Sequence, residues 1–280
     1  MKNTTTALVL VIAIIAIIGK ASAQTSLLDE TFVDPTKGID VNTCATTASP
    51  CLTIAAALAK TKEGGTITLL VGSEPDLEPG QKCSNPYDHV TISKSITIQG
   101  TDLLHKPCFL TTPSASIFIG PNEVLNPNVG VRLKGLRFVK PNGTLGSVGV
   151  SLRTGLGLAV EDCYFDSVPH AIDFDKGVLN VVGTTFVDNT TGVWLYPNSF
   201  PKTATIEKCE FRGTTQTAII VGDNATADVK HSNFNSVKEA FSVTNKSRLA
   251  VSDSTVTAAR KVLMLDGNRS VDLKNVTITN

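Results

Sequence analysis

One six-residue frame recurs through the second half of the chain and limits the fold more than any other feature. It reads aliphatic residue, two variable residues, small residue, variable residue, large apolar residue. Val160-Glu-Asp-Cys-Tyr-Phe165, Val181-Val-Gly-Thr-Thr-Phe186, Ile206-Glu-Lys-Cys-Glu-Phe211, Val229-Lys-His-Ser-Asn-Phe234 and Val251-Ser-Asp-Ser-Thr-Val256 share it, and it extends outward to Leu133-Lys-Gly-Leu-Arg-Phe138 and Leu273-Lys-Asn-Val-Thr-Ile278. The closing positions 138, 165, 186, 211, 234, 256 and 278 are spaced by 27, 21, 25, 23, 22 and 22 residues. A period near 22 with turns of variable length is the pattern of a solenoid, whose units bury their apolar faces only by stacking.

About seven residues after each phenylalanine comes a second apolar segment of period two: Ala171-Ile-Asp-Phe174, Gly192-Val-Trp-Leu195, Ala218-Ile-Ile-Val221 and Ala240-Phe-Ser-Val243. Short strands, no helical periodicity between them and coils of about 22 residues predict an all-β, right-handed parallel β-helix in which each coil pairs with the next. Leucine-rich repeats share the length but need a leucine and asparagine frame that is missing. Aromatic residues are 5% of the chain, so branched aliphatic side chains in thin layers must fill the core. Thr66 to Leu70, Val90 to Ile92, Ile96 to Ile98 and Ile117 to Ile119 supply the first coils. Cys51 to Lys60 reads as an N-terminal capping helix, with Pro50 at its start, Gly64-Gly65 as its stop, and Leu52, Ala55, Ala56 and Ala59 on one face.

Residues 1–23 read as a secretory signal peptide: Lys2, the apolar run Ala7 to Gly19, then Ala21-Ser22-Ala23 before Gln24. The rival is a membrane anchor, but thirteen apolar residues span only about 20 Å as a helix against a ~30 Å hydrocarbon core. The remainder, 24–280, reads as a single β-helix domain, with 24–65 as its N-terminal cap. The expected location is secreted, or extracellular, with no membrane association after cleavage. Without Lys2 and Lys20 the mature chain carries 23 basic and 25 acidic groups. That balance attracts no polyanion and excludes a nucleic-acid partner.

Six cysteines remain, and none forms a C-x-x-C pair. In an oxidising compartment Cys44, Cys51, Cys83 and Cys108 read as disulfide-forming. Cys44 and Cys51 flank a short turn, and Cys83 and Cys108 are 25 residues apart, close to one coil. Cys163 and Cys209 take the same inward frame position two coils apart. That is ~9.6 Å in a parallel sheet, beyond disulfide reach, so both are expected as buried free thiols. His89, His105, His170 and His231 show no metal-ligand spacing, and each reads as a surface or structural residue. No metal site is expected.

The opening Phe32-Val-Asp-Pro-Thr-Lys-Gly-Ile-Asp, then Ser49-Pro-Cys-Leu-Thr-Ile-Ala-Ala-Ala-Leu and Gly64-Gly-Thr-Ile-Thr-Leu, resembles the start of secreted right-handed β-helix proteins with the pectin-lyase-like fold. Val160 to Phe165 is similar to that superfamily's coil repeat, with Cys163 where an inward asparagine often stands. The resemblance covers nearly all of the mature chain and implies fold rather than function, because the superfamily includes lyases, esterases, polygalacturonases and adhesins. Polygalacturonase-like Asn-Thr-Asp, Asp-Asp and Gly-His-Gly segments are absent. Ala171-Ile-Asp-Phe174 echoes one pectin methylesterase segment, but its Gln-Asp and Arg-x-Trp partners are missing, as is the Arg-x-Pro-x-x-Arg pattern of pectate lyases.

Reading the second strand of each coil outward gives the column Ser151, Asp173, Trp194, Ile220, Ser242 and, beside it, Arg153, Asp175, Tyr196, Gly222. Coils lie ~4.8 Å apart, so Asp173, Asp175, Arg153, Trp194 and Tyr196 share one patch. Exposed rings cover apolar sugar faces and carboxylates accept hydroxyl hydrogen bonds, so Trp194 and Tyr196 are the expected binders of an extracellular polysaccharide. The blander expectation is that Arg153 pairs with Asp175 while the rings cover a flat sheet. Three functional readings stay open. The first is a secreted glycan-binding or surface-associated protein without a complete catalytic site and without a cofactor. The second is a lyase or esterase on a polyuronate such as pectin, using Asp173, Asp175 and Arg153, with calcium if a lyase. The third is a purely structural or adhesive solenoid. Six glycosylation sequons, at Asn142, Asn189, Asn224, Asn245, Asn268 and Asn275, suit a secreted glycoprotein. The chain stops on the strand Asn275 to Asn280, leaving the last coil open to self-association, to shielding by glycans at Asn268 and Asn275, or to continuation in a longer parent.

Overall fold

The structure, a computed structural model, describes residues 26–70, 83, 86–101, 106–111, 115–120, 130–140, 148–153 and 157–279. The expected leader 1–23, the sequon at Asn142 and His105 lie outside the described residues. Each complete coil contributes three strands, as in Gly157–Glu161, Tyr164–Asp166 and His170–Phe174. Each strand pairs in parallel with its counterparts one coil below and one above, giving three sheets of ten, eight and eight described strands. The protein is a right-handed parallel β-helix.

The frame fixes the register. Phe165 pairs with Phe138 and with Phe186, and the pairing continues through Phe211, Phe234 and Val256 to Ile278. All seven closing positions therefore stack in one column, which extends back through Phe109 to Tyr87 and is buried from Tyr87 to Val256. Successive rings from Phe138 to Phe234 stack with centroids 4.5–5.2 Å apart and planes within 8° of parallel. A second column of small residues makes room for them. A Cβ on Gly192 would lie 2.7 Å from the Phe211 ring, and one on Gly149 2.8 Å from the Phe165 ring.

The third frame residue, which looks variable in sequence, has one backbone state. Gly135, Asp162, Gly183, Lys208, His231, Asp253 and Asn275 all adopt left-handed φ between 49° and 63°. Glycine takes this conformation freely and Asp and Asn tolerate it, whereas Lys208 and His231 are held there against their preference. The turn directs the fourth frame residue inward. There the amide of Cys163 donates to Thr184 Oγ1 at 3.4 Å, that of Cys209 to Ser232 Oγ at 3.2 Å, and that of Ser232 to Ser254 Oγ at 3.1 Å. Cys163 and Cys209 are buried and free. Loss of hydration pushes each thiol up to about 12.

The helix α1 differs in detail from expectation, spanning Ile54–Lys60. Thr53 caps it by accepting from the Ala56 amide, and the Asp40 carboxylate accepts from the amides of Leu52 and Thr53. Ile54 and Ala57 form its buried face, while Leu52 is exposed. Of Leu52, Ala55, Ala56 and Ala59, only Ala56 packs against the core, and the other three are exposed, because the helix turns Ile54 and Ala57 inward. Gly64 and Gly65 do not end it either. They lie within the strand Thr61–Leu69, and α1 ends when Thr61 turns extended and its hydroxyl donates to the Ala57 carbonyl at 2.7 Å.

Disulfides join Cys44 to Cys51 and Cys83 to Cys108, with Cα atoms 5.0 and 5.9 Å apart. Among the described residues no helix is long and apolar enough to cross a membrane.

Candidate functional site

Both outward columns form as the pattern predicts. Asp173 lies between Ser151 on one neighbouring strand and Trp194 on the other, and the column continues to Ile220 and Ser242. The amides of Asp175 and Tyr196 donate to Leu152 and Phe174 carbonyls of the preceding coil, which aligns Arg153, Asp175 and Tyr196 alongside. The patch sits on the third sheet, the one built from the second apolar segment of each coil.

Its internal pairing departs from the simple ion-pair expectation. The guanidinium of Arg153 lies 3.8 Å from Asp173 Oδ2, not on Asp175, and 5.3 Å from the Tyr196 ring centroid. Asp175 instead accepts from the side-chain amide of Asn198, in the longer turn that follows Tyr196. Asn198 also donates to the Asp175 carbonyl at 3.1 Å. The physical reason is reach: that turn returns over the sheet edge and occupies Asp175 before a side chain one coil below can.

His170, read from sequence as an ordinary surface or structural residue, belongs to the site. Its ring stacks on Trp194 with centroids 5.0 Å apart, and its Nδ1 is 3.7 Å from Asp173 Oδ1. Trp194 in turn meets Tyr196 at 4.8 Å. A row of His170, Trp194, Tyr196 and Arg153 therefore surrounds Asp173. Strict alternation would put His170 on the core side with Ile172 and Phe174. The ladder skips Ala171, whose side chain is fully buried, and the broken alternation turns His170 outward.

The Asp173 side chain is only 6% exposed. Burial disfavours its charged form and raises its pKa above the ordinary carboxylate value, outweighing the nearby His170 and Arg153, with Asp175 adding to the rise. Calcium does not fit this donor set: Asp173 is buried against His170 and Arg153, and Asp175 is engaged by Asn198. Among the described residues no three His, Cys, Asp or Glu side chains gather as metal ligands.

A groove of about 350 Å³ crosses the first sheet between Gly64, Ser95, Arg132, Gly157 and Asn180. Its arginine is already paired with Glu161 at 2.7 Å. The buried carboxyl lies on the third sheet instead.

The sequons divide by position. Asn224, Asn245, Asn268 and Asn275 are exposed. Asn189 is wholly buried: its amide nitrogen donates to the Phe165 carbonyl at 3.1 Å and its oxygen accepts from the Val168 amide at 2.8 Å. It is a structural asparagine, and a glycan there is incompatible with this packing.

This architecture defines the class: the chain is a parallel β-helix of the pectin-lyase-like fold. It is similar in structure to a pectin methylesterase from Aspergillus niger, with a TM-score of 0.57 and 10% identity over 91% of this chain and 86% of that one. A GH136 lacto-N-biosidase from Eubacterium ramulus matches with TM-score 0.37 and 8% identity, covering 89% of this chain and 68% of that one. A rhamnogalacturonan lyase matches with TM-score 0.38 and 11% identity, covering 88% and 62%. No family model and no curated protein sequence matches the chain. At these identities the likeness establishes the fold alone.

Proposed function

We propose that this is a secreted, extracellular glycan-binding β-helix whose binding face is the outer surface of the third sheet. One observation carries the reading: Trp194 and Tyr196 stand side by side next to Arg153, His170 and the buried Asp173. Rings so placed cover the apolar face of a sugar, and the polar groups beside them meet its hydroxyls. Export is supported by the two disulfides and by the leader 1–23. On this reading residues 24–65 form the N-terminal cap of the domain 24–280, with α1 closing the first coil. Burial of Ile54 and Ala57 supports that role. Exposed Asn224, Asn245, Asn268 and Asn275 are available for glycans.

The test is the double substitution Trp194→Ala, Tyr196→Ala, assayed for retention on immobilised polysaccharides. Binding should vanish while the melting temperature stays nearly unchanged, since outward side chains contribute little to the packed core. Equal retention of parent and variant would refute the platform.

The alternative, a polyuronate lyase or esterase, is favoured by the raised pKa of buried Asp173 and by the fold shared with a pectin methylesterase. It requires product release from a polyuronate panel and loss of that activity in Arg153→Ala. No product from any member of the panel, with or without calcium, would remove it for that substrate class.

A further inference from the structure

Three buried side-chain atoms that lack any hydrogen-bond partner lie together: Ser151 Oγ, His170 Nδ1 and Asp173 Oδ1. Ser151 and Asp173 are register partners on adjacent strands, and His170 Nδ1 faces Asp173 Oδ1 across 3.7 Å, outside hydrogen-bond range. Buried polar groups in native proteins are nearly always satisfied, so a cluster of orphans is the mark of a missing partner. One stretched contact accounts for two of the orphans, His170 Nδ1 and Asp173 Oδ1, but not for Ser151 Oγ beside them. The three polar groups lie together next to the Trp194 ring.

Resting on the glycan-binding reading, we propose that Ser151, His170 and Asp173 form a socket for adjacent hydroxyl groups of a neutral sugar, with Trp194 and Tyr196 covering that sugar's apolar face. Asp173 Oδ1 accepts from one hydroxyl, and Ser151 Oγ and His170 Nδ1 exchange hydrogen bonds with its neighbour. His170 and Arg153, 31% and 37% exposed, form the rim.

Charge selects against an acidic sugar. Asp173 and Asp175 stand against one guanidinium, Arg153, which already lies 3.8 Å from Asp173. The other cations near this edge are committed: Lys176 covers the Phe200 ring at 5.0 Å, and buried Lys202 donates to the Asp223 carbonyl at 3.0 Å. A uronate carboxylate would enter beside Asp173 with no uncommitted cation among the described residues to meet it, whereas a neutral hydroxyl pair satisfies these three orphans without adding charge.

The experiment titrates the intact protein at neutral pH with neutral oligosaccharides (cello-, xylo-, manno- and galacto-oligomers) and with oligogalacturonate of matched length. Binding is read by calorimetry and by emission of Trp194, the chain's single tryptophan. The expected result is binding in the neutral arm, none in the uronate arm, and about tenfold or greater weakening by Asp173→Asn and by Ser151→Ala. Melting curves confirm folding, and Ser151→Ala, the smaller change, decides the matter if Asp173→Asn does not fold. Binding of oligogalacturonate alone would overturn the socket and leave the glycan-binding reading standing. Neutral binding untouched by both substitutions would also overturn the socket. No binding in either arm would overturn the glycan-binding reading itself.

Discussion

Phe186→Ala probes the physical basis of the solenoid. The Phe186 ring has no solvent exposure and is stacked at 5.2 Å on Phe165 and at 4.5 Å on Phe211, with interplanar angles of 6° and 2°. Its strand is hydrogen-bonded to neighbours on both sides, so the backbone cannot collapse into the void left by the ring. A large-to-small change at such a site costs about 3–5 kcal/mol. Two lost stacking pairs supply about 0.5–1.5 kcal/mol each of that. At roughly 2–4 °C per kcal/mol for a chain of this size, the melting temperature should fall by about 6–20 °C. Coils touch only their neighbours, so hydrogen exchange should accelerate first in the strands around Phe165 and Phe211. Circular dichroism and exchange mass spectrometry read both effects. Phe200→Ala is the control, since Phe200 is 48% exposed and surface changes usually stay within about 0.5 kcal/mol. Equal melting shifts for the two variants would refute the stacked column.

The other expectations are quickly checked. Cys163 and Cys209, buried and with thiols raised to about 12, should resist alkylation in the folded protein and react on unfolding; native labelling, or a bridge between them in peptide mapping, would refute the register. Lys208→Gly should raise stability by about 0.5–1 kcal/mol, because φ of 55° there suits glycine; a loss on chemical denaturation would count against the strain. Burial lifts Asp173 above its ordinary 3.8, so the folded state holds that proton more tightly than the unfolded chain, and stability falls as pH rises from 3.8. Asp173→Asn should therefore melt higher than the parent at neutral pH, the gap closing at acid pH; a gap independent of pH would refute this.

The repeat was legible because one demand is made of every coil: its closing side chain must lie on the one before. That demand keeps Phe138, Phe165, Phe186, Phe211 and Phe234 in phase however long the turns between them. The outward column Ser151, Asp173, Trp194 was legible for the same reason, since period two carries register to both faces. The turn was not. Asp162, Lys208 and His231 share a left-handed backbone while sharing no side-chain chemistry, because sheet geometry imposes the conformation and the residue only tolerates it. The partner of Asp175 was hidden as well, for Asn198 sits in a turn whose length varies from coil to coil and carries no periodic signal.

The site itself became visible only in the structure. The ladder of the third sheet skips one small residue in coil after coil, Gly149, Ala171, Gly192, Ala218 and Ala240 in turn, so the lapse of alternation belongs to the sheet and not to the site. What changes is the residue set just before it, which is Val148, His170, Thr191, Thr217 and Glu239 in successive coils. Ser151 and Ser242 are buried in the column as Asp173 is, but at Asp173 the buried group is a carboxyl with one oxygen left without a hydrogen bond. Desolvation, an imidazole and an arginine therefore act on a single acid and sacrifice stability that Asp173→Asn should restore. A group that destabilises its own fold is retained where its work requires the strain. The variant that melts higher should therefore be the one that binds sugar less well, and both measurements fall on the same residue.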